Sequence, residues 1–391
     1  MTRNRTFLWI ALISTLAAIG VHTYLTMHHY EMILGVARGK GLCNLGGAFD
    51  CDAVNTSKYS ELFGRSIALW GAAVNSFLAL MLIWHALTGS ERLRRYAFYL
   101  SVFVASVSIV MGVISYTQIR VFCLFCSTVY VLSFLTALML ALYNKGEVLN
   151  RAGSDFRALL RGGAEGSRSV LIWGLVVSVL PVLAIHSSYM TAYGERLRWA
   201  VPESLDIWRS AQTHTFSEEG GLTKGAAADK AVLTLVEFAD FRCPHCKTAV
   251  PGLHSFVKSR PDVRLIFLNF PLDSSCNSAM QQPGTSCAMA KAVYCANRAG
   301  KGWEAHDWLF DNQGKVTPES LTGLPGILGI DEGQFKSCTE SSQTHDAVSA
   351  QAELGLKAGV KGTPTVYANG RSLPEGFMIP ILEAVYDEVK K

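Results

Sequence analysis

The chain has 391 residues, of which 50% are hydrophobic and only 17% are charged, and its mean hydropathy is +0.24. This composition is too apolar for a wholly soluble protein, and it lacks the low-complexity tracts or basic, aromatic-rich stripes of disordered and nucleic-acid-binding chains. The net charge of +4 is uneven: residues 1–225 carry 19 Lys and Arg against 13 Asp and Glu, whereas residues 226–391 carry 16 against 18. We therefore expect a membrane-embedded first half, a soluble second half and no nucleic-acid partner.

Five stretches are apolar enough and long enough to cross a bilayer, whose core is about 30 Å thick and requires about 20 helical residues. They are residues 7–27, 67–87, 96–117, 121–143 and 170–190. Because Arg3 and Arg5 precede the first stretch, a cleaved signal peptide is the alternative there, but no persuasive cleavage site follows it. We expect five spanning helices.

The basic residues indicate how these helices are oriented, since Lys and Arg in short loops favour the cytoplasmic side. The N-terminus, the loop at 92–95 and residues 144–169 carry ten of them, whereas 29–66 and 118–121 carry five. The N-terminus is therefore expected to be cytoplasmic, and everything after the fifth span extracytoplasmic. On this map all ten cysteines lie on the oxidising, extracytoplasmic side, where disulfides form and persist.

The second half has an α/β pattern around a C-x-x-C motif. An apolar, β-branched run predicts a buried strand at 231–239, shortly before Cys243-Pro-His-Cys246. The other elements expected are a helix at 247–259, a strand at 263–270, a mostly helical region at 275–358, a strand at 365–368 and a final helix from about 378. The polar segment 191–225 is expected to be a linker, flexible unless part of 193–211 is helical.

Cys243 and Cys246 have the spacing of a redox-active pair. At the start of a helix, the first cysteine lies among unsatisfied N–H groups and the positive end of the helix dipole, which stabilise its thiolate. Cys243 is therefore the predicted nucleophile and Cys246 the resolving cysteine, while His245 adds positive charge or hydrogen bonds. Glu237 on the preceding strand is a candidate buried carboxylate that moves protons for Cys246. The alternative is an ordinary acid at the edge of a strand.

Residues 231–391 resemble the DsbA-like thioredoxin-fold oxidoreductases. The matching motifs are Phe238-Ala-Asp-Phe-Arg-Cys-Pro-His-Cys246, Phe270-Pro-Leu272, Trp303-Glu-Ala-His-Asp307 with Phe310, and Gly362-Thr-Pro-Thr365. The resemblance implies that Pro364 follows a cis peptide bond, a minority state kept for a structural reason, and faces the active-site disulfide beside the substrate chain. Thr363 stands where the oxidases carry Val and the isomerases carry Thr, which leaves both activities open.

Residues 6–143 resemble the vitamin K epoxide reductase family, in which a four-helix bundle encloses a quinone. The residues that carry the resemblance are Cys43 with Cys51, Ser57, Tyr59, Phe63-Gly64, Trp70-Gly71 and Cys123-Leu-Phe-Cys126 with Tyr130. The resemblance implies that Cys126 is the cysteine nearest the quinone and that Cys123 exchanges with the loop pair. It also makes Ser57 and Tyr130 candidate hydrogen-bond donors to the quinone oxygens. Which of Cys43 and Cys51 accepts external electrons stays open.

The four remaining cysteines lack C-x-x-C spacing, and spacing alone does not choose among their three possible pairings. The resemblance to related domains implies two structural disulfides, Cys276–Cys287 and Cys295–Cys338. A zinc site built from both C-x-x-C motifs is an alternative interpretation, as is inert packing of the membrane cysteines. Three histidines near the outer end of the first span are expected to be interfacial rather than ligands: His22, His28 and His29.

Together the two resemblances imply a self-contained disulfide-generating enzyme of the bacterial inner membrane. Electrons from reduced exported proteins would pass through the thioredoxin pair, the loop pair and the membrane pair to a quinone, ubiquinone or menaquinone, as the thioredoxin domain docks on the membrane domain. The expected parts are a four-helix membrane domain, a cytoplasmic connection, a fifth spanning helix, an extracytoplasmic linker and a thioredoxin domain, at 1–143, 144–169, 170–190, 191–225 and 226–391. The alternatives are an isomerase or reductase on the same side, and a non-catalytic membrane-anchored chaperone.

Overall fold

The structure is a computed structural model that describes residues 2–35, 37, 41–42, 49–144, 148, 151–155, 157 and 167–391. It contains two compact units, which are described separately. The first comprises Met1–Glu31 and Gly41–Glu195, and the second comprises Met32–Lys40 and Arg196–Lys391.

The first unit is a bundle of long apolar helices with a short helix and a hairpin at one end. Its elements are α1 (Thr2–Ile33), α2 (Cys51–Asn55), β1 (Glu61–Leu62), β2 (Arg65–Ser66), α3 (Ile67–Thr88), α4 (Glu91–Ile114), α5 (Leu124–Asn144) and the start of α6 (Ser167–Ser210). A π-helical turn, Ser115–Ile119, extends α4. Among the residues that the structure describes, five helices are apolar enough and long enough to cross a membrane: Arg5–Ile33, Ile67–Thr88, Glu91–Ile119, Leu124–Asn144 and Ile172–Ala192. All five predicted spans are therefore present as helices.

Within the described residues of the bundle, one buried cluster lies toward each end of the helices. The first cluster joins Leu12 of α1, Leu78 of α3 and Leu140 of α5. A hydrogen bond of 2.7 Å between the hydroxyls of Ser14 and Thr136 supports the same pairing of α1 with α5. The second cluster lies around the cysteines and includes Leu25, Cys51, Ala68, Val121 and Cys123. The membrane cysteines are thus part of the packed interior.

Helix α6 changes the expectation for the segment 191–225. The helix is continuous from Ser167 to Ser210, so the helical alternative considered for 193–211 holds and a fully flexible tether is wrong. Trp208 near its end donates its indole N–H to the carbonyl of Ala368 at 2.9 Å, which fixes this turn to the sheet of the second unit. The strand β3 (Leu222–Gly225) also falls inside the expected linker. The ordered domain therefore begins before residue 226.

The second unit is a five-stranded mixed sheet with helices on both faces. After β3, its elements are β4 (Leu233–Ala239), α7 (Pro244–Lys258), β5 (Val263–Asn269), α8 (Ser286–Arg298), α9 (Gly302–Asp311), α10 (Pro318–Leu328), α11 (Glu332–Glu340), α12 (Ser342–Ala358), β6 (Thr365–Ala368), β7 (Arg371–Leu373) and α13 (Ile379–Val389). The strand order is β3-β5-β4-β6-β7, and only β4 and β5 are parallel. This arrangement confirms the predicted α/β thioredoxin-like class with a helical insertion.

Alternation along β4 separates the two faces of this sheet, because successive strand residues point to opposite sides. Phe238 packs with Phe270 and Ala352 on the face covered by α12. Ala239 packs with Cys246 of α7 on the opposite face. Since β4 is the central strand, Glu237 lies in the middle of the sheet and on the Cys246 face. The alternative of an acid at the edge of a strand is excluded.

Candidate functional site

The C-x-x-C motif of the second unit lies where β4 ends and α7 begins. Cys243 is the N-cap residue of α7 and Pro244 occupies its first turn, where a missing N–H costs nothing. Both cysteines are buried thiols in this state. The Cys243 thiol donates to the carbonyl of Thr363 at 3.2 Å, and the Thr363–Pro364 peptide bond is cis, as the resemblance implied. The pair therefore faces the loop that precedes β6.

The two thiols of this pair have opposite pKa shifts. The pKa of Cys243 is lowered from 9.0 to about 5, chiefly by a hydrogen bond from Cys246, with help from the Thr363 side chain and the N–H groups at the start of α7. The pKa of Cys246 is raised well above 9.0, chiefly by burial. Cys243 is therefore a thiolate at neutral pH while Cys246 keeps its proton. This is the asymmetry that an attacking and a resolving cysteine require.

Glu237 lies beneath this pair as a fully buried carboxyl group. Within the described parts of the chain, neither of its oxygens has a hydrogen-bond partner. Burial, and to a lesser extent the Cys243 thiolate, raises its pKa from 4.5 to about 8. A carboxyl group with a pKa near the working pH can both accept and release a proton. The candidate role in proton transfer for Cys246 is compatible with these properties.

The loop before Cys243 is held by Asp240, which lies inside the first DsbA-like motif, and by Gln313, which no motif singled out. Asp240 accepts the N–H groups of Arg242 at 2.7 Å and of Leu272 at 3.0 Å. The Gln313 side chain, just after α9, donates to the carbonyls of Phe241 at 3.0 Å and Cys243 at 2.9 Å. His245, by contrast, lies exposed at the start of α7. No local pattern points to Gln313, because its partners lie about 70 residues away in the chain.

The second cysteine centre lies in the first unit, at the start of α5. Cys123 and Cys126 are joined in a disulfide, with Cys123 buried and Cys126 half-buried. In this state they offer no thiolates for zinc, and they are not inert free thiols. Cys51 is fully buried in the same cluster and is itself disulfide-bonded. Cys43, its expected partner, lies outside the described residues.

Backbone pairing brings the start of α2 beside the start of α5. Phe49 and Phe122 form a parallel β-bridge, and the Asp50 N–H donates to the carbonyl of Phe122 at 2.9 Å. Cys51 and Cys123 each follow this bridge within two residues, and both lie in one buried cluster. The fold thus brings together two cysteines that are 72 positions apart in the sequence.

The two residues expected to hydrogen-bond a quinone, Ser57 and Tyr130, lie in different surroundings. Ser57 is buried, and its hydroxyl donates to the carbonyl of Val54 at 2.9 Å. In this rotamer the Ser57 hydroxyl oxygen can only accept a hydrogen bond from another group. Tyr130 is half-buried one helical turn after Cys126, and its ring lies over Gly112 of α4. The α5 face that carries Cys126 therefore also carries a phenol.

His22 of α1, which the sequence predicts to lie at the membrane interface, is a half-buried histidine whose Nδ1 atom is shielded from solvent. Its ring packs against Gly71 of α3 so closely that a Cβ on this glycine would clash with it. Among the described residues, its Nδ1 has no hydrogen-bond partner. His28 and His29 are buried in the first unit and hydrogen-bonded, and their position at the membrane interface stays a prediction.

The remaining cysteines form the disulfides Cys276–Cys287 and Cys295–Cys338, the pairing that the resemblance implied. The first closes the turns that precede α8, and this helix begins at Ser286 rather than near 275, just after Pro283 and Gly284. In the described part of the chain, Cys276, Cys287 and His345 are the three residues with ligand atoms close enough to hold a metal ion, within 4.8 Å. Both cysteines are committed to the disulfide, so we assign no metal there.

Two protein-family models match the chain. The vitamin K epoxide reductase family matches residues 8–141, and the DSBA-like thioredoxin domain matches residues 234–386. The two matches confirm both resemblances inferred from the motifs.

Several curated and solved proteins are similar to parts of the chain. A Na(+)/H(+) antiporter NhaA 1 of Salinispora arenicola is 28% identical over 155 residues, which are 40% of this chain and 23% of the antiporter, so the chain spans less than a quarter of that protein. A probable disulfide bond formation protein D of Bacillus cereus is 30% identical over 174 residues, 42% of this chain and 77% of that protein. The crystal structure of oxidised BdbD from Bacillus subtilis is 25% identical, with a TM-score of 0.39, and covers 46% of this chain and 99% of that one.

Proposed function

Because residues 8–141 match the vitamin K epoxide reductase family and residues 234–386 match the DSBA-like thioredoxin domain, we propose that the chain is a membrane-bound thiol–disulfide oxidoreductase. It oxidises cysteine pairs of exported proteins and passes the electrons to a membrane quinone. The observation that carries this proposal is the presence, in one chain, of two cysteine centres of complementary chemistry. One has a stabilised thiolate at Cys243, and the other is a membrane disulfide next to Cys51.

The first reaction takes place at Cys243 and Cys246 when they form a disulfide. A substrate thiolate attacks the sulfur of Cys243, forms a mixed disulfide and releases Cys246. A second substrate thiolate then attacks the first substrate sulfur and releases the Cys243 thiolate. The substrate loses two electrons and two protons, and the pair gains both electrons. Since the Cys243 thiolate is stabilised, it is a good leaving group, which favours oxidation of the substrate.

The next transfers take place between the loop pair and the membrane pair. The reduced thioredoxin pair reduces Cys43–Cys51, and a Cys51 thiolate then attacks Cys123 and releases Cys126. Cys43 attacks Cys51 in turn, which restores the loop disulfide and leaves Cys123 and Cys126 reduced. Burial of Cys51 in the same cluster as Cys123 supports Cys51 as the inner cysteine and Cys43 as the one that accepts external electrons.

The residues around Cys126 fit a quinone, which would accept the two electrons and two protons as a quinol. Tyr130 is one helical turn away and can donate its phenol hydrogen to a carbonyl oxygen. His22 supplies a buried ring nitrogen that has no partner among the described residues. The Ser57 hydrogen is engaged by Val54, so Ser57 must rotate before it can donate elsewhere.

The orientation and partners follow from this electron path. We place the N-terminus in the cytoplasm, the thioredoxin domain on the outer side of a bacterial inner membrane, and reduced exported proteins there as substrates. The thioredoxin domain must dock on the membrane domain during each cycle. An isomerase or reductase would need electrons from inside the cell, but no cysteine lies on the cytoplasmic side of the predicted topology.

Quinone reduction by the purified full chain tests this proposal. With a reduced substrate protein and ubiquinone or menaquinone, we expect two electrons to reach the quinone for each substrate disulfide formed. Cys126→Ser should abolish quinone reduction while the Cys243 pair still exchanges disulfides with the substrate. Full turnover by Cys126→Ser would contradict the electron path, and full activity of Cys243→Ser would favour a non-catalytic chaperone.

A further inference from the structure

Two residues of α1 lie on one face, one helical turn apart, and contact both cysteine-bearing segments of the first unit. They are Tyr24 and His28, and their rings are stacked with centroids 5.9 Å apart and planes at 10°. We call these two residues the α1 bracket. Neither belongs to the motifs that carry the family resemblance, and nothing in the proposed electron path uses them.

His28 holds the segment that starts with Cys51. Its Nε2 lies 2.5 Å from an oxygen of Asp52, and the two side chains are only 7% and 3% exposed. The same Asp52 carboxylate accepts the N–H of Gly41 at 3.2 Å. Buried charge-assisted bonds of this kind are strong and geometrically specific. His28 therefore ties α1 both to the residue after Cys51 and, through Asp52, to a residue just upstream of Cys43.

Tyr24 holds the other flank of the loop and touches the membrane motif. Its hydroxyl accepts the N–H of Leu42, the residue immediately before Cys43, at 2.9 Å. Its ring packs edge-to-face on Phe125, with centroids 5.1 Å apart. Phe125 is one of the two residues between Cys123 and Cys126. One side chain thus contacts the approach to Cys43 and the interior of the C-x-x-C motif.

We propose that the α1 bracket is a positioning device for the exchange between the loop disulfide and the membrane disulfide. This inference rests on the proposed function. In the exchange, the Cys51 thiolate bonds to Cys123 and the Cys123–Cys126 bond breaks, so that Cys126 leaves with the electron pair. The bracket holds the chain on both sides of the loop pair against the helix that contacts the motif. Cys51 consequently stays in line with its target.

The physical reason is that disulfide exchange needs an attacking sulfur close to and aligned with the disulfide, and misplacement by about 1 Å can cost about 100-fold in rate. A loop held only by its own disulfide loses that constraint when the disulfide is reduced. The contacts of Tyr24 and His28 do not depend on the cysteines, so they persist in the reduced loop. They restrict Cys51 at the step where its disulfide no longer does.

The test measures the Cys51–Cys123 mixed disulfide directly. In the full chain with Cys43→Ser and Cys126→Ser, and with Cys243→Ser and Cys246→Ser to remove the other free thiols, Cys51 and Cys123 remain of the loop and membrane pairs, and diamide as oxidant joins them. Formation of the cross-link is followed with time by mass spectrometry of proteolytic peptides. We expect Tyr24→Phe, which removes one hydrogen bond, to slow it about fivefold, and His28→Gln, which breaks the charge-assisted pair, to slow it about tenfold or more.

The matched control is His85→Gln. His85 is also a buried histidine of the bundle and bonds the Tyr143 hydroxyl at 2.9 Å, but it lies at the end of α3 away from the cysteines. Cross-linking in this variant should stay within about twofold of the parent. Equal rates in Tyr24→Phe, His28→Gln and the control would overturn the proposal. If His28→Gln does not fold, Tyr24→Phe decides, because it keeps both ring contacts.

A second measurement separates positioning from general damage to the bundle. In a Cys51→Ser background, dithiothreitol reduces Cys123–Cys126 without the loop, and quinone reduction reports the membrane step alone. The bracket substitutions should leave this rate within about twofold of the background, and an equal loss in both measurements would contradict a positioning role. Cross-linking in the Cys43→Ser, Cys126→Ser chain together with no quinone reduction by the unsubstituted chain would instead refute the proposed function and leave the bracket intact.

Discussion

Glu237 illustrates how one residue acquires its chemistry from the fold. Its carboxyl group lies on the central strand, fully buried, on the same face as Cys246. Burial disfavours the charged form of this carboxyl group, which is why its pKa rises to about 8. An acid six positions before a C-x-x-C could have been an ordinary surface residue. Burial makes it a group that titrates near neutral pH.

Glu237→Gln should remove a pH dependence from both catalysis and stability. In the native chain, proton removal from Cys246 becomes faster as Glu237 ionises near pH 8, so we expect the variant to resolve mixed disulfides about tenfold more slowly at pH 8–9. The native carboxyl has a pKa of about 8 when folded and 4.5 when unfolded, so the native chain loses folding free energy as pH rises between these values. The Gln variant has no such loss.

Stopped-flow kinetics of mixed-disulfide release and thermal unfolding at several pH values measure these two effects. Glu304→Gln is the matched control, because that side chain is 53% exposed and lies on α9. If the rate of mixed-disulfide release in Glu237→Gln had the same pH dependence as in the native chain, Glu237 would not be the group that accepts the Cys246 proton.

At the scale of elements, the helical insertion is held together by disulfides as well as by packing. Cys295–Cys338 joins α8 to α11 across 43 positions, whereas Cys276–Cys287 closes only 11. The longer loop has more conformational entropy when unfolded, so its cross-link stabilises more. The insertion carries Gln313, whose side chain holds the carbonyl of Cys243. The Cys295–Cys338 disulfide therefore acts on the active-site loop indirectly, through the insertion that carries Gln313.

Replacing both cysteines of Cys295–Cys338 by alanine should destabilise the thioredoxin domain by about 4 kcal/mol, against about 3 kcal/mol for Cys276–Cys287. Denaturant unfolding of the full chain in detergent, followed by the fluorescence of the domain's tryptophans, measures the difference. The variant that lacks Cys276–Cys287, the disulfide with the shorter loop, is the internal control. A larger loss of unfolding free energy on removal of Cys276–Cys287 would indicate that native contacts, rather than loop length, determine the contribution of each disulfide.

At the scale of the whole molecule, the proposed electron path requires all three cysteine pairs on one side of the membrane. In intact cells, a membrane-impermeant maleimide should label reduced Cys123, whereas inverted vesicles should not be labelled there. The positions of Lys and Arg predict this orientation. Arg92→Cys in the first turn of α4, at the expected cytoplasmic end of that helix, is the control and should show the opposite pattern. Labelling of Cys123 from the cytoplasmic side would refute the topology.

The sequence by itself determined the features that depend on local order along the chain. Hydropathy and length located all five apolar helices, because each requires only a run of about 20 apolar residues. The C-x-x-C spacing identified Cys243 and Cys246, whereas the cis bond before Pro364 was implied by the family resemblance that Gly362-Thr-Pro-Thr365 helps to carry. The strand β3 was missed because a short edge strand is stabilised by its neighbour β5 rather than by its own residues.

Only the tertiary structure decided the features that depend on distant residues meeting. Cys51 shares a buried cluster with Cys123, His28 pairs with Asp52, and Gln313 reaches back to Cys243. Each of these contacts joins residues between 24 and 72 positions apart. The physical reason is that burial and alignment come from packing of whole helices and strands, which no local spacing encodes. The burial and hydrogen bonds of His28 and His29 likewise come from this packing.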